Sequence, residues 1–199
     1  MSPRTEEANQ HIREEQKERI LKAAQKLFAR KGFTDTKMTD IAVAARVSYG
    51  LAYHYFVNKE EIFTRLVESA LKNSIELMQY AKRQPGTPWD RLHWLVSQIL
   101  EGAQREPESF MVILQAFTNE AIPEEARAIA RQQGEVSQAI LKQLIQEGQA
   151  AGQVVAGDPD QLVTALSWCI TGMALDMSFL EHPLPVFPSA DHVLRILKA

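Results

Sequence analysis

Three aromatic rings and a histidine stand side by side in the stretch VSYGLAYHYFVNKEE, residues 47–61. Tyr53, His54, Tyr55 and Phe56 are consecutive, and Lys59 follows three residues after Phe56. Phenol hydroxyls, an imidazole and an ammonium group can donate hydrogen bonds to phosphate oxygens, and a ring edge can contact a thymine methyl group. These residue types therefore favour contact with a nucleic acid over a catalytic role.

The surrounding sequence predicts the helices that would present these groups. MTDIAVAARVSYGLAYHYF indicates two short helices, at about 38–45 and 49–56, joined by a tight turn. An earlier helix, at about 11–31, has one apolar face and ends at Gly32, which is free to adopt the left-handed conformation. The three segments together predict a helix-turn-helix head whose second short helix carries the aromatic run.

The rest of the chain contains repeated signals for helix starts and no strand pattern. TPWD places a capping Thr, a Pro and a returning Asp at the start of one helix, and DPDQ, EPES and IPEE have similar features. Further helices are expected at about 59–83, 88–104, 107–119, 123–150, 159–181 and 189–198. We therefore predict an all-α protein, with a DNA-binding head at 1–58 and a larger helical domain at 59–199.

Composition and charge narrow the possible functions. The net charge is −3, but residues 1–60 hold 11 Lys/Arg against 8 Asp/Glu (+3) and residues 61–199 hold 11 against 17 (−6). A basic head on an acidic body suits a polyanion partner. The single cysteine excludes an internal disulfide, no Cys/His spacing suggests a metal, and no apolar run could span a membrane. No catalytic motif is present, so we expect a cytoplasmic non-enzyme without cofactors.

The segment GFTDTKMTDIAVAARVSYGLAYHYFVNKEEIF resembles the DNA-binding signature of the tetracycline-repressor (TetR/AcrR) family, and the match extends from Ile20 to Leu66. Two positions depart from the family pattern. Arg46 stands where the family usually has Gly, and a left-handed Arg would cost roughly 1 kcal/mol relative to Gly. Lys37 stands where a hydroxyl residue usually starts the second helix. Both departures add positive charge, which suits phosphate.

The resemblance and the residue types together assign DNA-contacting roles in the head. The residues expected to face the groove are Tyr49, Gly50, Leu51 and His54. Those expected to position the head on the DNA backbone are Lys37, Ser48, Tyr53, Tyr55 and Lys59. Phe56 is expected in the core instead, one turn after Ala52.

The family resemblance also implies an effector cavity among the later helices. Apolar and aromatic residues on facing helices can line an adaptable pocket, although they also fill ordinary cores. The candidates are Met78, Trp94, Phe110, Met111, Leu114, Phe117 and Trp168. Polar candidates within apolar stretches are His93, Gln98, Gln115, Thr171 and Asp176, the last of which needs a partner if it is buried.

A homodimer is expected because the 159–181 helix is apolar on more than one side. With the 123–150 helix it would form a four-helix bundle across a two-fold axis, an arrangement that the family resemblance also implies. The proposed interface residues are Ile129, Val136, Ile140, Leu144, Leu162, Leu166, Cys169 and Met173. Two recognition helices about 34–36 Å apart would then read a palindrome in successive major grooves.

These observations favour a dimeric repressor that binds double-stranded operator DNA and is released by a small, largely apolar effector. The 59–83 helix is the covalent connection through which the cavity would move the head. Two alternatives stay open: a regulator that needs a corepressor, and a helix-turn-helix adaptor that binds protein instead of DNA. A steep salt dependence and a palindrome preference would distinguish DNA binding from an adaptor role.

Overall fold

The computed structural model describes residues 6–179 and 187–199, which form nine α-helices and one short 3₁₀ helix. The prediction of an all-α fold is confirmed. The helices are α1 (Glu6–Asp35), α2 (Met38–Ala45), α3 (Tyr49–Tyr55), α4 (Lys59–Lys82), α5 (Pro88–Arg105), α6 (Pro107–Thr118), α7 (Glu124–Ala150), α8 (Pro159–Phe179), α9 (Ala190–Leu194) and the 3₁₀ helix η1 (Arg195–Leu197).

Helices α1, α2 and α3 form the head, and two left-handed residues define its turns. Gly32 (φ 78°) breaks α1 near its end, as its position after the apolar face predicts. Arg46 ends α2 with φ 55° and ψ 44°, so it keeps the conformation that the family's usual Gly would adopt. The backbone N–H of Arg46 donates to Val43 and that of Val47 donates to Ala42, which closes the turn between α2 and α3.

A proximal core joins the head to the larger domain. The rings of Phe28, Phe33 and Phe63 pack together, with centroids of the α4 ring 5.2 Å from each of the other two. The same cluster includes Val112 from α6 and Ala126 from α7. The packing is therefore continuous across the boundary expected near residue 58.

A distal core holds the second half of the molecule together. It is built from the C-terminal half of α4 with α5, α7, α8, α9 and η1. The TPWD signal acts as expected: Thr87 Oγ1 accepts from Asp90 N (3.2 Å) and Asp90 Oδ2 accepts from Thr87 N (2.9 Å). The chain end is fastened where Val155 N donates to Leu197 O (2.9 Å).

The described residues have two properties that concern membranes and metals. None of their helices is both long and apolar enough to cross a bilayer. Within the same residues, no group of three or more His, Cys, Asp or Glu side chains is placed to hold a metal ion.

Candidate nucleic-acid interface and effector cavity

One side of the recognition helix α3 packs against the core of the head, and the opposite side is exposed. Ser48 accepts the N–H of Leu51 on its hydroxyl (3.1 Å) and so caps the first turn. Ala52 and Phe56 are buried in the proximal core, as expected for Phe56. Gly50 has no neighbouring heavy atom within 4 Å of where a Cβ would lie, so a ligand backbone can approach it closely.

The outward face of α3 carries a pair of exposed tyrosines. Tyr49 and Tyr53 are 52% and 42% exposed, their ring centroids are 4.6 Å apart, and their hydroxyls are hydrogen-bonded to each other (3.1 Å). The hydrogen bond with Tyr49 favours the protonated phenol of Tyr53 and is the largest cause that raises its pKa above the usual value. His54 is also exposed, with its ring against the edge of Tyr55. The face therefore offers neutral donors and ring edges to a groove.

The head also exposes two cationic residues that precede α2 and α3 in the sequence. Lys37 lies exposed just before α2, where its backbone N–H donates to Asp40 (3.3 Å) and its side chain makes no cap. Arg46 is exposed in the turn before α3. Both residues therefore present an exposed positive charge in the head.

The expected phosphate role of the Lys59 side chain is wrong in this conformation. Its ammonium donates to the carbonyls of Phe33 (2.8 Å), Thr34 (3.1 Å) and Thr36 (2.9 Å), and it also lies over the Phe33 ring. Three bonds use all three ammonium donors. Lys59 therefore stabilises the end of α1 and the connection to α2.

Tyr55 is likewise held inside the head. It is half-buried, and its hydroxyl donates to Gln16 of α1 (2.8 Å). The expected DNA-backbone contact is corrected to a bond between α3 and α1. Sequence spacing did not reveal either correction because both partners are far along the chain.

A cavity of about 510 Å³ lies among α4, α5, α6, α7 and α8. Of the predicted ligand residues, four line it: Met78, Phe110, Leu114 and Phe117. Two of the polar candidates, Gln98 and Thr171, do so as well. Other apolar wall residues are Leu71, Leu77, Ile99, Ile113, Leu141 and Ile170.

The small hydroxyl residues of this cavity were not predicted from the sequence. Ser74, Ser109, Ser137 and Ser167 contribute one hydroxyl each from α4, α6, α7 and α8. A serine that recurs on the apolar face of an amphipathic helix would have been the signal. The described walls thus combine apolar surface with several neutral hydrogen-bonding groups and two charged residues, Arg105 and Glu106.

Four predicted ligand residues lie elsewhere. Trp94 packs on Tyr80 with ring centroids 5.4 Å apart, and Met111 is half-buried outside the described cavity lining. Trp168 is 74% exposed on the outer face of α8. Gln115 bonds to the head instead: its Oε1 accepts from Phe33 N (3.2 Å).

Two other polar candidates also take no part that the structure describes in the cavity. His93 Nε2 lies 3.1 Å from Asp191 Oδ1, which connects α5 to α9. Asp176 lies in α8 among the residues whose side chains are outside the described part of the structure.

Some of the proposed dimer residues are inaccessible in the single chain. Ile140, Leu144 and Leu166 are at most 5% exposed in the distal core, so their expected interface role is wrong for this conformation. Ile129, Leu162 and Met173 are half-buried against the two cores. Val136 (40% exposed) and Cys169 are open to a partner.

Two family models match separate parts of the chain. The family model described as bacterial regulatory proteins, tetR family, matches residues 20–66. The model described as tetracyclin repressor-like, C-terminal domain, matches residues 85–175.

Curated relatives match over part of the chain. The HTH-type transcriptional regulator AcrR of Shigella flexneri is 32% identical over 94 residues, which are 47% of this chain and 44% of that protein. The HTH-type transcriptional repressor NicS of Pseudomonas putida is 26% identical over 136 residues, 68% of this chain and 64% of the repressor. The chain thus spans about half to two thirds of the length of these relatives.

Solved structures match over most of the chain. The regulatory protein TetR from Rhodobacter sphaeroides has a TM-score of 0.68 at 28% identity, covering 81% of this chain and 87% of the other. The MbdR regulator from Azoarcus sp. CIB has a TM-score of 0.75 at 21% identity, covering 81% and 86%, which is a likeness of fold alone.

Proposed function

The chain belongs to the TetR family of bacterial transcriptional regulators, and we propose that it acts as a dimeric repressor released from a palindromic operator by a small, largely apolar effector. The observation that carries the proposal is the exposed face of α3 with Tyr49, Gly50, Tyr53 and His54, in a head that also exposes the cations of Lys37 and Arg46. Such a regulator would work in the cytoplasm, where its DNA is.

The proposed mode of DNA binding divides the head into reading and positioning groups. Tyr49, Gly50 and His54 enter the major groove, where ring edges and imidazole nitrogens meet base edges. The free N–H groups at the start of α3 favour a phosphate. Lys37 and Arg46 add phosphate contacts whose counterion release makes binding salt-dependent.

The proposed dimer uses the outer faces of α7 and α8, which pack side by side. Val136 on α7 and Cys169 on α8 are kept from the predicted interface, and the exposed Trp168 on α8 is added to them. An indole this exposed is a suitable anchor for an interface. Two copies joined here would place two recognition helices on half-sites one helical turn apart.

The proposed effector site is the cavity among α4 to α8. Its volume of about 510 Å³ lies within the usual range for small-molecule sites. Apolar walls favour a largely apolar effector, and the serine hydroxyls would orient it through a few hydrogen bonds.

Helix α4 supports a direct route from this cavity to the head. It runs unbroken from Lys59 to Lys82, with Phe63 in the proximal core and Ser74 and Met78 at the cavity. An effector that binds more tightly to a second arrangement of α4 would shift the population toward it and change the spacing of the recognition helices.

The test is selection of a binding sequence from random duplex DNA by the purified chain at two salt concentrations. An enriched palindrome, with affinity that falls steeply as salt is added, is the expected result. His54→Ala should weaken binding to that palindrome, whereas His192→Ala in α9 should not. Absence of enrichment without added ligand would overturn the simple repressor and leave a corepressor-dependent regulator or a protein adaptor.

A further inference from the structure

We propose that the Ser109 hydroxyl is the contact through which the effector cavity acts on α1 of the head, a second route besides α4. Ser109 belongs to α6, lines the cavity and accepts a hydrogen bond from Gln25 of α1. The inference rests on the proposed function and specifies how its cavity is linked to DNA binding.

The geometry makes Ser109 part of both sites. Gln25 Nε2 donates to Ser109 Oγ at 2.6 Å, across 84 residues of sequence, and both side chains are half-buried. A hydroxyl has one donor and two acceptor positions, so Ser109 can accept from Gln25 and still present hydrogen-bonding capacity to the cavity. A group of the effector that takes over this hydroxyl competes directly with α1.

A second contact between α6 and α1, made by Gln115, provides a fixed point close to the end of α1. Gln115 Nε2 donates to Phe28 O (2.9 Å) and its Oε1 accepts from Phe33 N (3.2 Å). These backbone groups lie on either side of the break at Gly32, where helical bonding is interrupted. Gln115 thus satisfies the end of α1, in the role of a C-cap.

An effector in the cavity could reach Ser109 but not Gln115. Gln115 is outside the described cavity lining and bonds only to backbone, so it would stay fixed when the cavity fills. Ser109 is exposed to the cavity and bonds to a flexible side chain. Loss of the Ser109 bond would therefore let α1 turn about the Gln115 end, which is next to the start of α2.

In the unliganded repressor, the Gln25–Ser109 bond belongs to the DNA-binding arrangement. Its removal should weaken operator binding by about fivefold, the equivalent of one hydrogen bond of about 1 kcal/mol. Breaking the bond from either side should have the same effect, because the same contact is lost.

The experiment measures binding to the selected palindrome by Ser109→Ala, Gln25→Ala and the double variant. We expect about a fivefold loss in each single variant and no further loss in the double variant. Ser109→Thr keeps the hydroxyl and should restore binding. Thr118→Ala is the matched control, since Thr118 is a hydroxyl residue of the same helix that is not among the described cavity residues and donates within α6 to Leu114 O (2.8 Å).

Hydrogen–deuterium exchange gives a readout that does not depend on DNA. Amides of α1 around Gln25 should exchange faster in Ser109→Ala than in Thr118→Ala, while cooperative thermal unfolding of both variants shows that they are folded. Additive losses in the double variant, or identical behaviour of Ser109→Ala and Thr118→Ala, would overturn the Gln25–Ser109 link and leave the proposed repressor function intact. If the unaltered chain selects no palindrome, the proposed function itself is overturned, and the proposed role of the Gln25–Ser109 bond falls with it.

Discussion

At the scale of single residues, Lys59 and Lys37 show that two lysines in one motif can have different roles. The Lys59 ammonium is bound to three backbone carbonyls, whereas Lys37 is exposed beside the recognition helix. A structural lysine affects folding, and a phosphate-binding lysine affects salt-dependent affinity. The two roles can therefore be separated by parallel substitutions.

Lys59→Met should lower the free energy of unfolding by about 2 kcal/mol, because it removes charge-assisted hydrogen bonds and leaves carbonyls at the end of α1 without their donor. Denaturant unfolding measures this loss. Lys37→Met should leave stability unchanged and reduce the slope of log affinity against log salt by about 1 per protomer. Unchanged stability in Lys59→Met would contradict its assignment as a structural residue.

Arg46→Gly should change stability and DNA affinity in opposite directions. Gly adopts φ 55° without the Cβ strain, so the variant should gain about 1 kcal/mol of stability. It also loses an exposed cation next to α3, so operator binding should weaken and depend less on salt. Urea unfolding and binding titrations at two salt concentrations measure the two effects. If the variant and the original chain bound the operator with equal affinity at low salt, Arg46 would not be a DNA contact.

These residues also show what sequence could and could not predict at this scale. The left-handed conformation of Arg46 was suggested by the family resemblance, because the family usually has Gly at this turn position. The bonds of Lys59 to Phe33, Thr34 and Thr36 depend on how α4 crosses the end of α1. No local pattern contains that crossing, so the ammonium's role could not be derived.

At the scale of elements, the start of α5 is a local feature with a pH-dependent consequence. The backbone N–H of Thr87 is the largest of the influences that hold the pKa of Asp90 below its usual value of 3.8, and the Thr87 hydroxyl follows. A carboxyl with a lowered pKa in the folded state contributes stability above its unfolded-state pKa. That contribution is lost as pH falls through the lower folded-state pKa.

Asp90→Asn should therefore be less stable than the original chain at neutral pH, with a difference that shrinks on acidification below about pH 4. Urea unfolding at a series of pH values measures the difference. The conservative control is Asp158→Asn, at the start of α8, for which a carboxamide oxygen can still accept the N–H of Asp160. A difference between Asp90→Asn and the original chain that grows as pH falls would contradict the assignment.

Helix positions could be predicted well because caps, prolines and apolar periodicity are local. Their faces could not be assigned to partners on the same basis. The periodicity of α8 fixes the angle between Leu166 and Trp168, but either face could have met the core. The fold buries Leu166 in the distal core, away from any partner, and exposes Trp168, which was expected to line the cavity. Gln115 shows the same limit: its position in α6 was predicted, but its side chain bonds to the head and does not line the described cavity.

At the scale of the whole molecule, a palindrome-reading regulator needs a second copy to supply the second recognition helix. The exposed Trp168, with Cys169 beside it and Val136 on the adjoining α7, is the apolar part of the surface proposed for that copy. The same dimer would carry motions of α6 and α4 in both chains to one DNA site. Dimerisation and DNA affinity should consequently be lost together.

Trp168→Glu tests this link because it places a charge in the proposed interface while leaving the core of each chain untouched. Burial of an unpaired carboxylate is costly, so the variant should sediment as a monomer at concentrations where the original chain is a dimer. Its affinity for the palindrome should fall to that for a single half-site. Tyr80→Glu is the matched control: Tyr80 is an exposed aromatic on α4, outside the α7–α8 face, and its variant should remain dimeric. A dimeric Trp168→Glu variant with full palindrome affinity would show that the two copies meet through another surface.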